Sequence, residues 1–166
     1  MPKSSKTEEK KRFERIYCIG IKKYFNELKV KIVKEWGNKS LYDTEITDIG
    51  RQLMGKKYTG TFPIDKVPLF GSDKYIIANV DRAGLPGSHW VSIYIKGDTI
   101  YVYDSFARKT KNLLKPLYES AKKSNKKIVD VNVKADQRVD SEVCGPISLS
   151  LLYIIFKYGL QAGKCI

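Results

Sequence analysis

The most restrictive stretch of this 166-residue chain is the apolar run from Ile147 to Phe156, together with the polar segment before it. Apolar side chains cover the run almost all round, which predicts a buried helix. Pro146 fits the first turn of such a helix, because the N–H that proline lacks would have no helical partner there. The sequence therefore predicts a central helix that begins close to Cys144.

Cys144 lies at or just before the predicted start of that helix. Unpaired backbone N–H groups and the positive end of the helix dipole favour a thiolate over a thiol at such a place. A free cysteine at the start of a core helix is, however, often a small buried hydrophobe. Position alone leaves both interpretations open, a nucleophile and a packing residue.

The single histidine, His89, precedes the first of two alternating runs, at 90–95 and 99–103, which flank Gly97-Asp98. Alternation of this kind around a tight turn predicts a β-hairpin. His89 begins one strand and Asp104 ends the other, so antiparallel pairing brings them to the same open end. There the carboxylate can accept a hydrogen bond from the imidazole and fix its tautomer. An edge histidine and a turn-forming aspartate are the alternative interpretations.

Four features follow one another along the chain: Gly-Ser-His-Trp at 87–90, Tyr-Asp-Ser-Phe at 103–106, Gln137, and Cys144-Gly145-Pro146. This order resembles the adenovirus-type maturation proteases, whose clan also contains the SUMO proteases. The resemblance is closest to the adenovirus branch and its relatives in virophages and related small double-stranded DNA viruses. Gln137 precedes the cysteine by seven residues and Gly-Pro follows it closely, as in that branch. The resemblance covers roughly residues 40 to 158.

The resemblance implies a role for each of these side chains. His89 would be the general base, Asp104 its orienter, Cys144 the nucleophile and Gln137 a donor to the oxyanion. Residue 104 is Asp where the adenovirus enzymes carry Glu, as it is in the SUMO proteases. Read from the residues alone, Gln137 is equally a solvated loop amide.

A narrow substrate cleft is also implied, with a preference for small residues, glycine above all, immediately before the cut. Its predicted lining residues are Trp90, Asp136, Val143 and Gly145. An aromatic residue at the position of Trp90 is otherwise a core residue. The expected function is that of a cysteine endopeptidase that processes viral capsid and core precursor proteins during virion maturation.

The expected fold is a single α+β domain over 1–166, with flexible residues at 1–10. A small, mostly antiparallel sheet would pack against the helix carrying Cys144, and the resemblance implies a permuted papain-like cysteine protease. The predicted elements are an amphipathic helix at 8–28 whose apolar stripe is core, a helix from Asp43 or Thr44 to Gly55, an irregular loop at 56–73, strands at 74–80 and 127–133, and a helix at 110–123 that Pro116 kinks or restarts.

The chain carries a net charge of +13, from 31 Lys and Arg against 18 Asp and Glu. A solvated lysine-rich surface explains this, and so does a polyanion partner, since lysines release counterions on meeting phosphates. From the resemblance, non-specific DNA or a short viral peptide would be an activator, and precursor polypeptides the substrates. We expect a monomer in the virion and the infected host cell, in the cytoplasm or viral factory.

The three cysteines have neither the count nor the spacing of a disulfide framework or a zinc site. They predict a reducing compartment and no metal, and they leave two roles for Cys165, a disulfide partner or, the favoured interpretation, an incidental cysteine. No signal-peptide core or run of eighteen apolar residues occurs, so neither secretion nor membrane insertion is expected.

Three alternatives remain open at this point. The first is a SUMO- or ubiquitin-specific isopeptidase of the same clan. The second is an effector-type acyltransferase with a similar His, acidic residue and Cys. The third is a basic DNA-packaging protein without enzymatic activity.

Overall fold

The computed structural model describes residues 5–37, 39–81, 89–106, 111, 114–131 and 144–166. These residues form an α+β fold with a five-stranded mixed sheet. In chain order the elements are α1 (Ser5–Trp36), α2 (Asp43–Met54), β1 (Tyr58–Pro63), β2 (Lys74–Asn79), β3 (Trp90–Lys96), β4 (Thr99–Tyr103), α3 (Lys115–Lys123), β5 (Lys127–Asp130), α4 (Cys144–Tyr158) and α5 (Leu160–Gly163), with 3-10 turns at Gly55–Lys57 and Ile64–Lys66.

The strands follow their chain order across the sheet, β1-β2-β3-β4-β5. The two inner pairings, β2 with β3 and β3 with β4, are antiparallel, whereas both edge strands pair parallel to their neighbours. The prediction of a mostly antiparallel sheet was therefore wrong. Parallel neighbours need a crossover connection, and α3 provides it between β4 and β5.

The predicted loop at 56–73 in fact contains β1. Gly60, at a φ of +146°, adjoins a shift in the β1–β2 register, and Pro63 ends the strand. Thr59 Oγ1 accepts a hydrogen bond from the backbone N–H of Tyr75, 3.0 Å away. Glycine and proline are tolerated here because β1 lies at the edge of the sheet.

The hairpin prediction is confirmed. Lys96 pairs with Thr99 across the Gly97-Asp98 turn, and the antiparallel register continues to the pair Ser92 and Tyr103. The prediction for α2 is confirmed too, since the helix spans Asp43–Met54 and Gly55 follows it. Pro116 lies in the first turn of α3, so it marks a helix start rather than a kink.

Helices cover both faces of the sheet. On the face that we call the α3 face, Val91, Ile93 and Ile95 pack with α3 residues such as Leu117. On the opposite face, the α4 face, Trp90 and Tyr94 belong to two apolar clusters that include buried residues of α4 and α1. The helix that carries Cys144 is therefore packed against one face of the sheet, as predicted.

Helix α1 is longer than predicted and differs in its packing. Ile21, Phe25 and Ile32 are buried, but Phe13 is 75% exposed and Ile16 is 62% exposed. The prediction that this part of the stripe is core was wrong, because periodicity identifies an apolar face without saying what lies beside it. Residues 6–10, expected to be flexible, are helical and exposed.

Cys18 and Cys165 form a disulfide, with a Cα–Cα distance of 5.1 Å. The favoured interpretation of Cys165 as incidental was therefore wrong, and its alternative role as a disulfide partner is the one that the structure has. The two residues are 147 positions apart, so no local spacing could have paired them. Of the three cysteines, all within the described residues, Cys144 is the free one. Within the described ranges, no helix is both long and apolar enough to cross a membrane.

Candidate active site

Three predicted site residues meet where β3, β4 and α4 come together. His89 directly precedes β3, Asp104 directly follows β4, and Cys144 is the first described residue of α4. Their exposed fractions are 4%, 1% and 8% respectively. The hairpin register and the packing of α4 on the sheet thus bring an imidazole, a carboxylate and a free thiol into one buried cluster.

The imidazole of His89 is held on one side by the carboxylate. Its Nε2 lies 2.5 Å from Oδ1 of Asp104. Because Nε2 is engaged there, Nδ1 is the ring nitrogen left to face another group. Cys144 is a second group that acts on the imidazole, since it contributes to raising the pKa of His89. The ring is therefore influenced by both the acid and the free cysteine.

The electrostatics of this cluster favour a charged imidazole. Burial lowers the pKa of His89, but the hydrogen bond and charge of Asp104, together with the interaction with Cys144, outweigh burial and raise this pKa above its ordinary value. The imidazole of His89 can therefore accept a proton that leaves the thiol. The arrangement places a proton acceptor in the same buried cluster as a free cysteine.

Phe106 completes the surroundings of the imidazole, a role that we did not predict. Its backbone N–H donates to Oδ1 of Asp104 at 3.2 Å, and its ring stacks on His89 at a centroid distance of 4.9 Å. Extending the hairpin register from Ser92 and Tyr103 by three residues places 106 opposite 89. The register was thus the signal that could have identified Phe106.

Trp90 and Gly145 were predicted to line the substrate cleft, and the structure describes their packing. The indole N–H of Trp90 donates to the carbonyl oxygen of Leu41 at 3.1 Å. A Cβ on Gly145 would lie 2.9 Å from Cδ1 of Ile46 and 3.2 Å from Cδ1 of Leu41. The start of α4 thus approaches α2 more closely than a larger residue would permit. Contact of either residue with a substrate stays a prediction.

A pair of buried serines joins α4 to the strand that follows His89. Ser148 Oγ donates to the carbonyl oxygen of Trp90 at 3.0 Å, and Ser92 Oγ donates to the carbonyl oxygen of Ser148 at 2.6 Å. Sequence reasoning missed this pair, because serine within an apolar helix has no distinctive pattern. The signal available in the sequence was the polarity of Ser148 within an otherwise apolar run, since buried polar groups are usually hydrogen-bonded.

The remaining predicted site residues, Gln137, Asp136 and Val143, lie outside the described residues. In the parts of the chain that are described, no group of three His, Cys, Asp or Glu side chains is arranged to hold a metal ion. No protein-family model matches the sequence, and no curated protein is significantly similar to it. The function must therefore be inferred from the geometry of the site itself.

Proposed function

We propose that this protein is a cysteine endopeptidase with Cys144 as nucleophile, His89 as general base and Asp104 as the residue that orients the base. The observation that carries the proposal is a buried imidazole that is bonded to a carboxylate and whose pKa is also raised by a free, buried cysteine. A packing cysteine needs neither partner. Nucleophile, base and orienter within hydrogen-bond reach of one another are what thiol catalysis requires.

In the proposed reaction, His89 takes the proton of Cys144 and the thiolate attacks the scissile carbonyl carbon. The tetrahedral intermediate collapses, the C–N bond breaks, and the imidazolium gives its proton to the leaving amine. The acyl group remains on sulfur as a thioester. A water molecule then loses a proton to His89, attacks the thioester and releases the carboxylic acid, which restores the thiol.

The oxyanion would be held by Gln137 and the backbone N–H of Cys144, as the resemblance implies. Loss of one such donor typically lowers the rate by about a hundred- to a thousandfold. We therefore expect Gln137→Ala to reduce kcat within that range, while Gln137→Glu tests whether the amide N–H is the group required.

A permuted papain-like arrangement agrees with the order of these elements along the chain. The base and its orienter come from the β3–β4 hairpin, and the helix with the nucleophile follows them. The packing of that helix across the α4 face supports the same proposal, because it brings the thiol to the open end of the hairpin.

For the substrate, we propose a polypeptide with small residues, glycine above all, immediately before the cut. The support is the low exposure of the reacting groups, since the thiol of Cys144 and the ring of His89 are both buried. A main chain without bulky side chains can approach such atoms more closely than one with them. Viral capsid and core precursors are the proposed natural substrates, and the proposal for them comes from the resemblance alone.

Non-specific DNA is the proposed activating partner. The support is the net charge of +13, together with a surface groove of about 700 Å³ near α3 that is rich in lysine. Its cationic residues are Lys111, Lys122, Lys126 and Lys127, although Lys126 also donates to the carbonyl oxygens of Gly71 and Gly97. Such a surface attracts a phosphate backbone without reading its sequence.

A peptide-library cleavage profile tests the protease proposal most directly. The wild-type protein should cleave, with small residues before the cut, and Cys144→Ala should not. Turnover that persists in Cys144→Ala would contradict the proposal. If the protein cleaves no peptide but is trapped covalently by a ubiquitin-like vinyl sulfone, an isopeptidase is favoured. Self-acetylation that depends on acetyl-CoA would favour an acyltransferase.

The DNA proposal has its own test. Binding of a fluorescent duplex should weaken with salt, with a log–log slope of about −0.9 per phosphate neutralised. The double variant Lys122→Glu/Lys127→Glu should flatten that slope, whereas the double variant Lys31→Glu/Lys34→Glu in α1 serves as a charge-matched control. Absence of binding at about 50 mM salt would leave the basic surface as a solubility feature.

A further inference from the structure

We propose that Ser92 and Ser148 are positioning residues that fix the nucleophile helix relative to the strand that follows His89, and so set the separation of the thiol and the imidazole. This inference rests on the proposed function and names two further residues on which it depends. Neither serine touches the reacting atoms, so their effect passes through the backbone.

The two hydrogen bonds run in opposite directions between the same elements. Ser148 of α4 donates to the carbonyl oxygen of Trp90 in β3, and Ser92 of β3 donates to the carbonyl oxygen of Ser148. Hydrogen bonds weaken steeply when the donor moves out of line. A shift of α4 by one residue, a rise of about 1.5 Å, would break both bonds together. The pair therefore defines one axial position of the helix.

The serines are close in the chain to the residues that they position. Ser148 follows Cys144 by four residues, so the two lie on one face of α4 a single turn apart. Trp90 is the residue after His89, and the carbonyl oxygen of His89 accepts a hydrogen bond from the N–H of Val80 at 3.0 Å. The backbone beside the base is thus bonded to Val80, which directly follows β2, on one side and to Ser148 on the other.

Ser150 provides a control within the same helix. It is fully buried like Ser148, but its Oγ has no hydrogen-bond partner in the described structure. Ser150→Ala therefore removes the same atom from the same helix without removing a bond. Any effect that is specific to Ser148→Ala reports the bond rather than the loss of a buried hydroxyl.

Two readouts are independent of proteolysis. His89 is the only histidine, so its imidazole resonances report one pKa by NMR. Cys144 is the only free thiol while the Cys18–Cys165 bond is intact, so iodoacetamide alkylation against pH reports its reactivity alone. We expect Ser92→Ala and Ser148→Ala to lower the alkylation rate near neutral pH and to return the pKa of His89 towards its ordinary value of about 6.5.

Steady-state kinetics complete the experiment. Both alanine variants should lower kcat by about ten- to a hundredfold, the scale expected for misplacement of reacting groups, with little change in KM. Ser150→Ala should match the wild type in the pKa of His89, the alkylation rate of Cys144, kcat and KM. Ser92→Thr retains the hydroxyl and should keep the wild-type pKa and alkylation profile, and it also tests the proposal if Ser92→Ala fails to fold.

The outcomes separate this inference from the proposed function. If folded Ser92→Ala and Ser148→Ala behave like Ser150→Ala, or if Ser92→Thr loses the elevated pKa of His89, the positioning role is overturned. If the wild type cleaves no peptide but the serine variants still change alkylation and the pKa of His89, the protease proposal fails while the positioning role stands.

Discussion

The two faces of the sheet are packed in different ways. On the α3 face the contacts are apolar throughout the described cluster, as Ile93, Val102 and Leu117 illustrate. On the α4 face, buried hydrogen bonds of Ser92 and Ser148 interrupt the apolar contacts. The catalytic candidates lie where β3 begins, where β4 ends and at the first described residue of α4.

This difference indicates which of the two interfaces constrains the position of its helix more tightly. Apolar contacts stabilise roughly in proportion to the area removed from water and impose little directional constraint. Polar groups destabilise an interior unless they are hydrogen-bonded, and their bonds are directional. An apolar interface is sufficient to hold α3, whereas the α4 interface must also place a thiol against an imidazole. Variants on the two faces should therefore have different consequences.

The largest effect should come from the reacting groups. We expect Cys144→Ala to reduce cleavage to background and His89→Ala to reduce it by at least about a hundred- to ten-thousandfold, the usual range for general acid–base catalysis. Single-turnover assays with a peptide identified in the library would measure both. Circular dichroism should show folded variants, and a folded His89→Ala with wild-type kcat would remove the base from the mechanism.

Asp104→Asn should have the next largest effect, on both rate and pH dependence. The charge and hydrogen bond of Asp104 help to raise the pKa of His89, so its loss should lower that pKa and shift the alkaline limb of the pH–rate profile towards lower pH. NMR titration of His89 would measure the shift. An unchanged pKa and an unchanged profile would remove Asp104 from the triad.

The raised pKa of His89 also affects stability. A group whose pKa is higher in the folded state stabilises the fold fully below its unfolded pKa of about 6.5, and this stabilisation is lost as pH rises through the folded pKa. The free energy of unfolding of the wild type should therefore fall across that window relative to Asp104→Asn. Urea unfolding at several pH values measures it, and parallel curves would contradict the assignment.

A variant of the α3 face sharpens the comparison. Leu117→Ala should lower the free energy of unfolding by about 2–5 kcal/mol, because it leaves a cavity in a fully buried cluster. The pKa of His89 and the alkylation rate of Cys144 should not change while the protein remains folded. A change in either would show that the apolar face also positions the site.

The smallest effect should come from the ring that stacks on the base. Phe106→Leu should lower kcat by about two- to tenfold, matching the 0.5–1.5 kcal/mol typical of an aromatic pair, because the imidazole gains rotational freedom. Phe106→Tyr keeps the ring and is the matched control. Equal kcat values for the two variants would show that the stacking has no part in positioning the base.

Local patterns in the sequence predicted the parts of this fold that depend on neighbouring residues. The alternation around Gly97-Asp98 predicted the hairpin, and the apolar run after Pro146 predicted α4. The hairpin placed His89 and Asp104 at one end of the strand pair, whereas the association of Cys144 with them was implied by the family resemblance. The alternative interpretation, that Cys144 is only a packing residue, could be examined only through contacts between segments that are distant in the chain.

What the sequence did not predict depends on such distant contacts. Strand β1 was missed because Gly60 and Pro63 indicate a loop, whereas its pairing with β2 is made by hydrogen bonds to a remote segment. The exposure of Phe13 was missed because an apolar stripe does not specify its neighbour. The serine pair joins residues 56 positions apart, a separation at which no sequence pattern operates.

The disulfide described above also has a mechanical consequence. Cys18 and Cys165 enclose His89, Asp104 and Cys144 within one covalently closed ring of chain. When the chain is pulled by its two ends, tension passes from α1 through the sulfur–sulfur bond to the last residue. The strands and helix that hold His89, Asp104 and Cys144 bear none of that load until the bond is reduced. Reduction would therefore convert a chain whose site is shielded from force into one in which the same pull is transmitted through β3, β4 and α4.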